Sequence, residues 1–291
     1  MWWGLVKVGL GCTVLQQLLV LQGVVHSCGF LRPRTPSAAT GARVPEAPTF
    51  FVVVPVLREA DGLRDSVAHF EAIVAGHDAR IVVVTTAREE AEAPNFPELG
   101  STINVAAQLM RDGRIIHLHF PDPRGLKADQ VNFAATQCAL GSLGGALSRE
   151  AFCVIYDVDS RPPRDSLARF ERAIARHPEA SVFHQSSRFV LRGRAPEPES
   201  PGARIRRAIA DSGALRANRF VMAYELPRLL YRSGALGAWR RHLFSYVYTH
   251  VTGHGLCARL SLLQRIPFPA RSPLEDMHYS FLLGSLSAYD V

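Results

Sequence analysis

From residue 50 onward the chain alternates between two hydrophobic patterns. Phe50-Phe51-Val52-Val53-Val54-Pro55-Val56 is an unbroken apolar run that ends in polar residues, as a strand buried on both faces requires. From Asp61 to Ala75 the period changes: Leu63, Val67, Phe70 and Val74 recur at helical spacing. Arg80 to Thr85, built on Ile81-Val82-Val83-Val84, returns to the strand pattern. A helix is predicted over 102–111, a short strand over Ile115–Leu118, a helix over 127–140 and a strand over 152–156. Strands alternating with helices in this way predict an α/β fold, a doubly wound, mostly parallel sheet flanked by helices. Ligands of such sheets bind outside the carboxyl ends of the strands. The loops after Val54, Val84, Leu118 and Tyr156 are therefore expected around one site.

Other segments follow neither period. Gly4 to Val25 is mostly apolar, interrupted by Lys7, Gln16, Gln17 and Gln22, and its length is near the ~20 residues that span a bilayer. It predicts an N-terminal hydrophobic helix serving as a membrane anchor over 1–30. Arg32, Arg34 and Arg43 follow it, which keeps the downstream domain facing the cytoplasm. A cleaved signal peptide, ending near Ser27, is the rival reading, but no charged region precedes the apolar stretch. Residues 31–48, rich in Pro, Ala, Thr and Ser, form a linker, and 49–291 the folded domain. Arg192 to Arg204 reads as an exposed loop and Ile205 to Trp239 as broken helix. Leu226, Leu229, Leu230 and Tyr231, interleaved with Arg228 and Arg232, suit a membrane interface or an ordinary amphipathic helix equally.

Composition narrows the function classes. With 47% hydrophobic and 20% charged residues the chain is a folding one. Its formal charge of +7 comes almost wholly from scattered arginines; the lysines are Lys7 and Lys127 alone. No basic stripe with interleaved aromatics accompanies that charge, so no nucleic-acid partner is expected. Diphosphate ligands or anionic lipid suit it better. Five widely spaced cysteines, without a CxxC pair, fit neither a disulfide framework nor a zinc site.

Four clusters carry candidate chemistry. In Val154-Ile155-Tyr156-Asp157-Val158-Asp159-Ser160 a strand runs into two carboxylates one residue apart. Residues i and i+2 of a strand point to one face, so both acids can converge on a hard divalent cation, Mg²⁺ or Mn²⁺. Two acids at this spacing also occur in plain solvated turns; their place at the end of a buried strand favours the metal. Asp276, in Leu274-Glu275-Asp276-Met277-His278-Tyr279, starts an apolar-periodic segment. It is either a helix cap or a general base. Gly253-His254-Gly255 lets backbone approach a ligand closely. Lys127, the one lysine beyond the N-terminal segment, sits in Gly125-Leu126-Lys127-Ala128-Asp129-Gln130-Val131-Asn132. It supplies a compact ammonium suited to a phosphate, or an exposed helix start.

In this order the segments resemble the family 2 glycosyltransferases, the cellulose- and hyaluronan-synthase-like group, over about Phe50 to Leu286. The resemblance implies a GT-A fold. It implies donor binding by Pro55, Glu59, Lys127 and Asp157, with Asp157 and Asp159 as metal ligands. Gln185 matches a glutamine common on the family's next strand. Gly253, His254, Gly255 and Glu275 fall on the acceptor side, and Asp276 is the catalytic base. The implied partners are a nucleotide-diphosphate sugar, a UDP-sugar first, and a glycan or lipid-linked acceptor. Two departures stand out. Thr85-Thr86 replaces aspartates that hold the nucleobase in many members, and no Gln-x-x-Arg-Trp motif precedes Val291. The second points to a non-processive member or a fragment. Two rival readings are a catalytically inactive scaffold of the same fold and a nucleotidyltransferase, although Val56-Leu57-Arg58-Glu59 lacks the Gly-rich loop of the latter.

Overall fold

A computed structural model describes Val14, Gln17, Leu18, Leu21, Val25 and residues 47–96, 100–141, 150–186, 190, 201–222, 254–270, 272 and 274–287. The chain divides into two compact units: Met1–Ala39 with Ser186–His250 and Leu283–Val291, and Thr40–Gln185 with Val251–Leu282. The second unit holds the sheet.

Its strands are β1 (Thr49–Pro55), β2 (Ala79–Thr86), β3 (Ile116–Phe120), β4 (Ala151–Ile155), β5 (Val182–His184) and β6 (Leu256–Arg259). They lie in the order β3-β2-β1-β4-β6-β5. The pairs β1/β2, β1/β4 and β2/β3 are parallel, whereas β6 runs antiparallel to both β4 and β5. The expected mostly parallel sheet is thus present, and one strand was not foreseen. Leu256-Cys257-Ala258-Arg259, directly after the Gly253-His254-Gly255 cluster, is β6. Four residues are too few to show a period, and the strand is specified by its neighbours.

Helix α1 (Ala60–Val74) buries Leu63, Val67, Phe70 and Ile73 on one face of the sheet. There α3 (Thr102–Arg111) and α5 (Ser166–Arg176) join it through Leu109, Leu167, Phe170 and Ile174. Phe50, Val52, Val54, Phe152 and Val154 supply the strand side of this core. The alternate residues Phe51, Val53, Cys153 and Ile155 are equally buried. On that side lie α4 (Lys127–Ala139) and α7 (Leu260–Arg265). Burial on both faces explains why β1 and β4 read as continuous apolar runs. Three helices escaped the sequence reading: α2 (Ala87–Glu92) and α7, each too brief for a helical period to emerge, and the longer α5, whose Leu167, Phe170 and Ile174 do recur at helical spacing.

The first unit contains α6 (Pro201–Phe220). Most of the anchor expected over 1–30, and the interface segment 226–232, lie outside the described residues. Val14, Gln17, Leu18, Leu21 and Val25 are helical and exposed. Among the described residues no helix is long and apolar enough to cross a membrane.

Sheet order fixes where a ligand fits. After β1 the chain moves outward to β2 and β3, then returns to place β4 on the other side of β1. The crevice at such a reversal opens between the carboxyl ends of the two central strands.

Candidate functional site

The loop after β1, Val56 to Glu59, borders that crevice. Gln130 on α4 donates its buried amide to Val56 O at 3.0 Å and Val84 O at 2.7 Å, tying the loop to β2. Glu89 accepts from Arg58 N (3.0 Å) and Thr102 N (2.6 Å), and Thr102 Oγ1 accepts from Glu59 N (2.8 Å). Held this way, Arg58 adopts φ 58°, a left-handed conformation that costs a non-glycine residue free energy. The bend delivers Glu59 as the residue before α1. Its carboxyl is pushed up from 4.5 to about 7, chiefly by burial and further by the charges of Asp157 and Asp159; Leu57 N–H and Lys127 oppose the rise.

Those acids lie in the loop after β4, and their geometry differs from the expectation. The strand stops at Ile155. Asp157 to Ser160 is a turn closed by Ser160 N donating to Asp157 O at 3.0 Å. Two acids of one strand would share a face through its pleat; this pair instead sits in the turn that follows the strand. That turn sends Val158 into the core and leaves Asp157 half-buried and Asp159 exposed. From below, Val158 O accepts from Ser66 Oγ on α1 and from Arg161 Nη1 at 3.0 Å. His69 Nε2 contacts Pro162 O at 2.9 Å.

Lys127 opens α4, and its ammonium pairs with Asp157 Oδ1. A plain exposed helix-start lysine is therefore not what the fold holds. On the other carboxylate oxygen of Asp157, His254 Nδ1 stands 3.9 Å away. Gly255 steers that histidine. Its N–H donates to Ile155 O and its O accepts from Gln185 N, both at 2.8 Å. Its φ is 69°, and a Cβ there would stand 2.9 Å from Gln185 O. Gln185 also accepts from the buried Tyr156 hydroxyl at 2.6 Å, so it braces the sheet beneath the site. Gly253 lies outside the described residues. Pro55 is buried at the end of β1, where it contributes backbone and shape.

Glu275 and Asp276 occupy the first turn of α8 (Glu275–Ser287). His278 N donates to Leu274 O, so Leu274 holds the cap position and Asp276 stands inside the first turn, where a carboxylate still serves the free N–H groups of the helix start. Asp276 Oδ1 accepts from Met277 N at 2.7 Å. The half-buried Glu275 carboxyl is raised by burial first and then by Asp276 and Asp157, against its own backbone N–H and Lys127. Electrostatic reach thus gathers Glu59, Lys127, Asp157, Asp159, Glu275 and Asp276.

Thr85 and Thr86 serve the fold. Thr85 Oγ1 lies between His117 Nε2 (2.9 Å) and His119 Nδ1 (3.0 Å), and Thr86 caps α2. Burial, aided by the neighbouring His119, holds His117 below its ordinary value. Beside them opens a pocket lined by Arg58, Glu89, Glu90, Phe96, Ser101 and Ile103. Arg58 lays its guanidinium over Phe96 at 4.2 Å. Sequence reasoning missed this pocket, along with Glu89, Gln130, Ser66 and Arg161. Gln130 stood inside the Lys127 cluster without a role of its own and the others outside the motifs read above; long-range contacts give each its role.

The donor set discriminates between kinds of metal site. Among the described residues no three His, Cys, Asp or Glu side chains gather as a cage. A resident, protein-enclosed ion is not supported. Two carboxylates on one turn do fit a hard cation shared with substrate phosphates, as Mg²⁺ is commonly held.

No protein-family profile and no curated protein matches the chain. Among solved structures, the mannosyltransferase PcManGT from Pyrobaculum calidifontis, in complex with GDP-Man and Mn²⁺, is similar at a TM-score of 0.48 and 15% identity. The match covers 94% of this chain and 61% of that one, so the chain spans less than two thirds of its length.

Proposed function

We propose that the chain is an inverting glycosyltransferase that moves a sugar from a nucleotide-diphosphate donor, a UDP-sugar first, to a hydroxyl of a glycan or lipid-linked acceptor. The reading rests on one observation. Five acids, Glu59, Asp157, Asp159, Glu275 and Asp276, lie within electrostatic range of one another and of Lys127, which pairs with Asp157, near the reversal point of a mostly parallel sheet. That many carboxylates around one ammonium leave an excess of negative charge, which a divalent cation balances.

Asp157 and Asp159 would hold Mg²⁺ or Mn²⁺, which neutralises the diphosphate as it departs. Lys127 adds a cation beside Asp157, and Glu59 closes the donor side. The pocket of Arg58 and Phe96 offers the base a flat wall, in place of carboxylates at the end of β2. Glu275, with Gly253, His254 and Gly255, would border the acceptor. Asp276 would take the proton from the attacking hydroxyl, and a single displacement from the face opposite the leaving group inverts the anomeric carbon. The chain would work from the cytoplasmic side of a membrane, anchored by its N-terminal segment.

Two variants test this reading. Asp159→Ala should abolish Mn²⁺-dependent donor binding. Asp276→Asn should keep that binding and lower transfer by at least ~10²-fold, the scale of losing a general base. Donor affinity unaffected by EDTA in the unaltered protein would remove the metal role. Transfer by Asp276→Asn within a few-fold of normal would remove the base.

A further inference from the structure

The 20-residue helix α6 belongs to the unit without the sheet, and the chemistry above makes no use of it. Large apolar side chains stand in solvent along it: Ile205 is 62% exposed, Ile209 66%, Leu215 70% and Phe220 46%. At about 100° per residue these four fall within one half of the helix circumference. The exposed arginines Arg204, Arg216 and Arg219 fall on the same half. Asp211, the acid of this helix, is half-buried and stands about 20° from Arg204, at the edge of that half. Among the described side chains, the exposed positions of this half are therefore apolar, small or cationic, and the acid at its edge is half-buried beside Arg204.

A second stripe belongs to the same unit. Val14, Leu18, Leu21 and Val25 are helical, recur at spacings of four, three and four, and are each more than half exposed. Arg219 reaches Gln17 Oε1 at 3.5 Å, linking the two segments.

We propose that α6 lies flat on an anionic bilayer surface, with Ile205, Ile209, Leu215 and Phe220 entering the acyl boundary and Arg204, Arg216 and Arg219 at the phosphates. Both halves of the pattern are needed for this choice. Isoleucines and a phenylalanine gain from leaving water, which a nucleic acid does not offer. The arginines need anions, which a second copy with the same face and a net charge of +7 does not supply. Anionic lipid meets both demands, because arginine stems run along apolar surface while the guanidinium stays at headgroup level. The attachment is separate from any N-terminal insertion and from the transfer chemistry.

Its test reads α6 itself. The full chain carries Ile209→Cys, bearing an environment-sensitive fluorophore, with Cys12→Ser and Cys28→Ser; Cys138, Cys153 and Cys257 are buried. Vesicles of phosphatidylcholine with roughly 30 mol% phosphatidylserine should shift the emission to the blue at ~10-fold less lipid than phosphatidylcholine alone. Replacing Arg204, Arg216 and Arg219 by Gln should erase that preference, and a label at Leu215→Cys should behave as at Ile209→Cys. Equal response to neutral vesicles, no response at either position, or a shift that grows with protein concentration without lipid would each overturn the proposal.

Discussion

Glu59 concentrates the electrostatics of the candidate site in one carboxyl. In the folded chain it holds its proton to about pH 7, whereas an ordinary carboxyl releases it near 4.5. Between those values the folded state binds more protons than the unfolded one, so stability falls as pH rises through that window and stays reduced above it. Glu59→Gln cannot ionise and removes this slope. In EDTA, its unfolding midpoint relative to the unaltered protein should therefore improve from pH 5 to pH 8. A constant difference across that range would mean that burial and the two aspartates do not raise the group. The residue was a candidate through the family resemblance alone, which places it on the donor side just after an apolar strand. Its charge state was not legible, because Asp157 and Asp159 lie about a hundred residues away in sequence.

At the scale of elements, two short backbone features aim the side chains. The Asp157–Ser160 turn replaces the strand pleat that the sequence suggested, and it is pinned through Val158 O by Ser66 and Arg161. Gly255 sets the entry to β6 and the direction of His254. Alanine there meets the left-handed φ, which costs roughly 1–2 kcal/mol, and a carbonyl at 2.9 Å. Gly255→Ala should thus lower stability by about 2–3 kcal/mol in denaturant unfolding. A loss well below 1 kcal/mol would show that the β4–β6 junction yields easily. The glycines around His254 were visible in the sequence, though for a different reason: they suggested room for a ligand, while Gly255 answers to the Gln185 backbone.

On the scale of the whole molecule, a ligand that binds only the folded crevice must stabilise the fold by mass action. At about a hundred times Kd the gain is about 2.7 kcal/mol, enough to raise the melting midpoint by several degrees. A panel of nucleotide-diphosphate sugars should give such a rise for one donor class with Mn²⁺ and little without it. No rise with any donor would favour a fold that does not bind nucleotide sugars. The sequence by itself determined the layered α/β architecture, because strands buried on both faces must be continuously apolar and their covering helices must carry a 3.6-residue period. It also marked Glu59, Lys127, the Asp157–Asp159 pair and Glu275-Asp276 as residues of interest. Tertiary structure alone decided that Lys127 pairs with Asp157, that a turn presents the two aspartates, and that Arg58 and Phe96 face one pocket. It also decided that β6 enters the sheet antiparallel. Each of these depends on contacts between distant segments, which local periodicity does not encode.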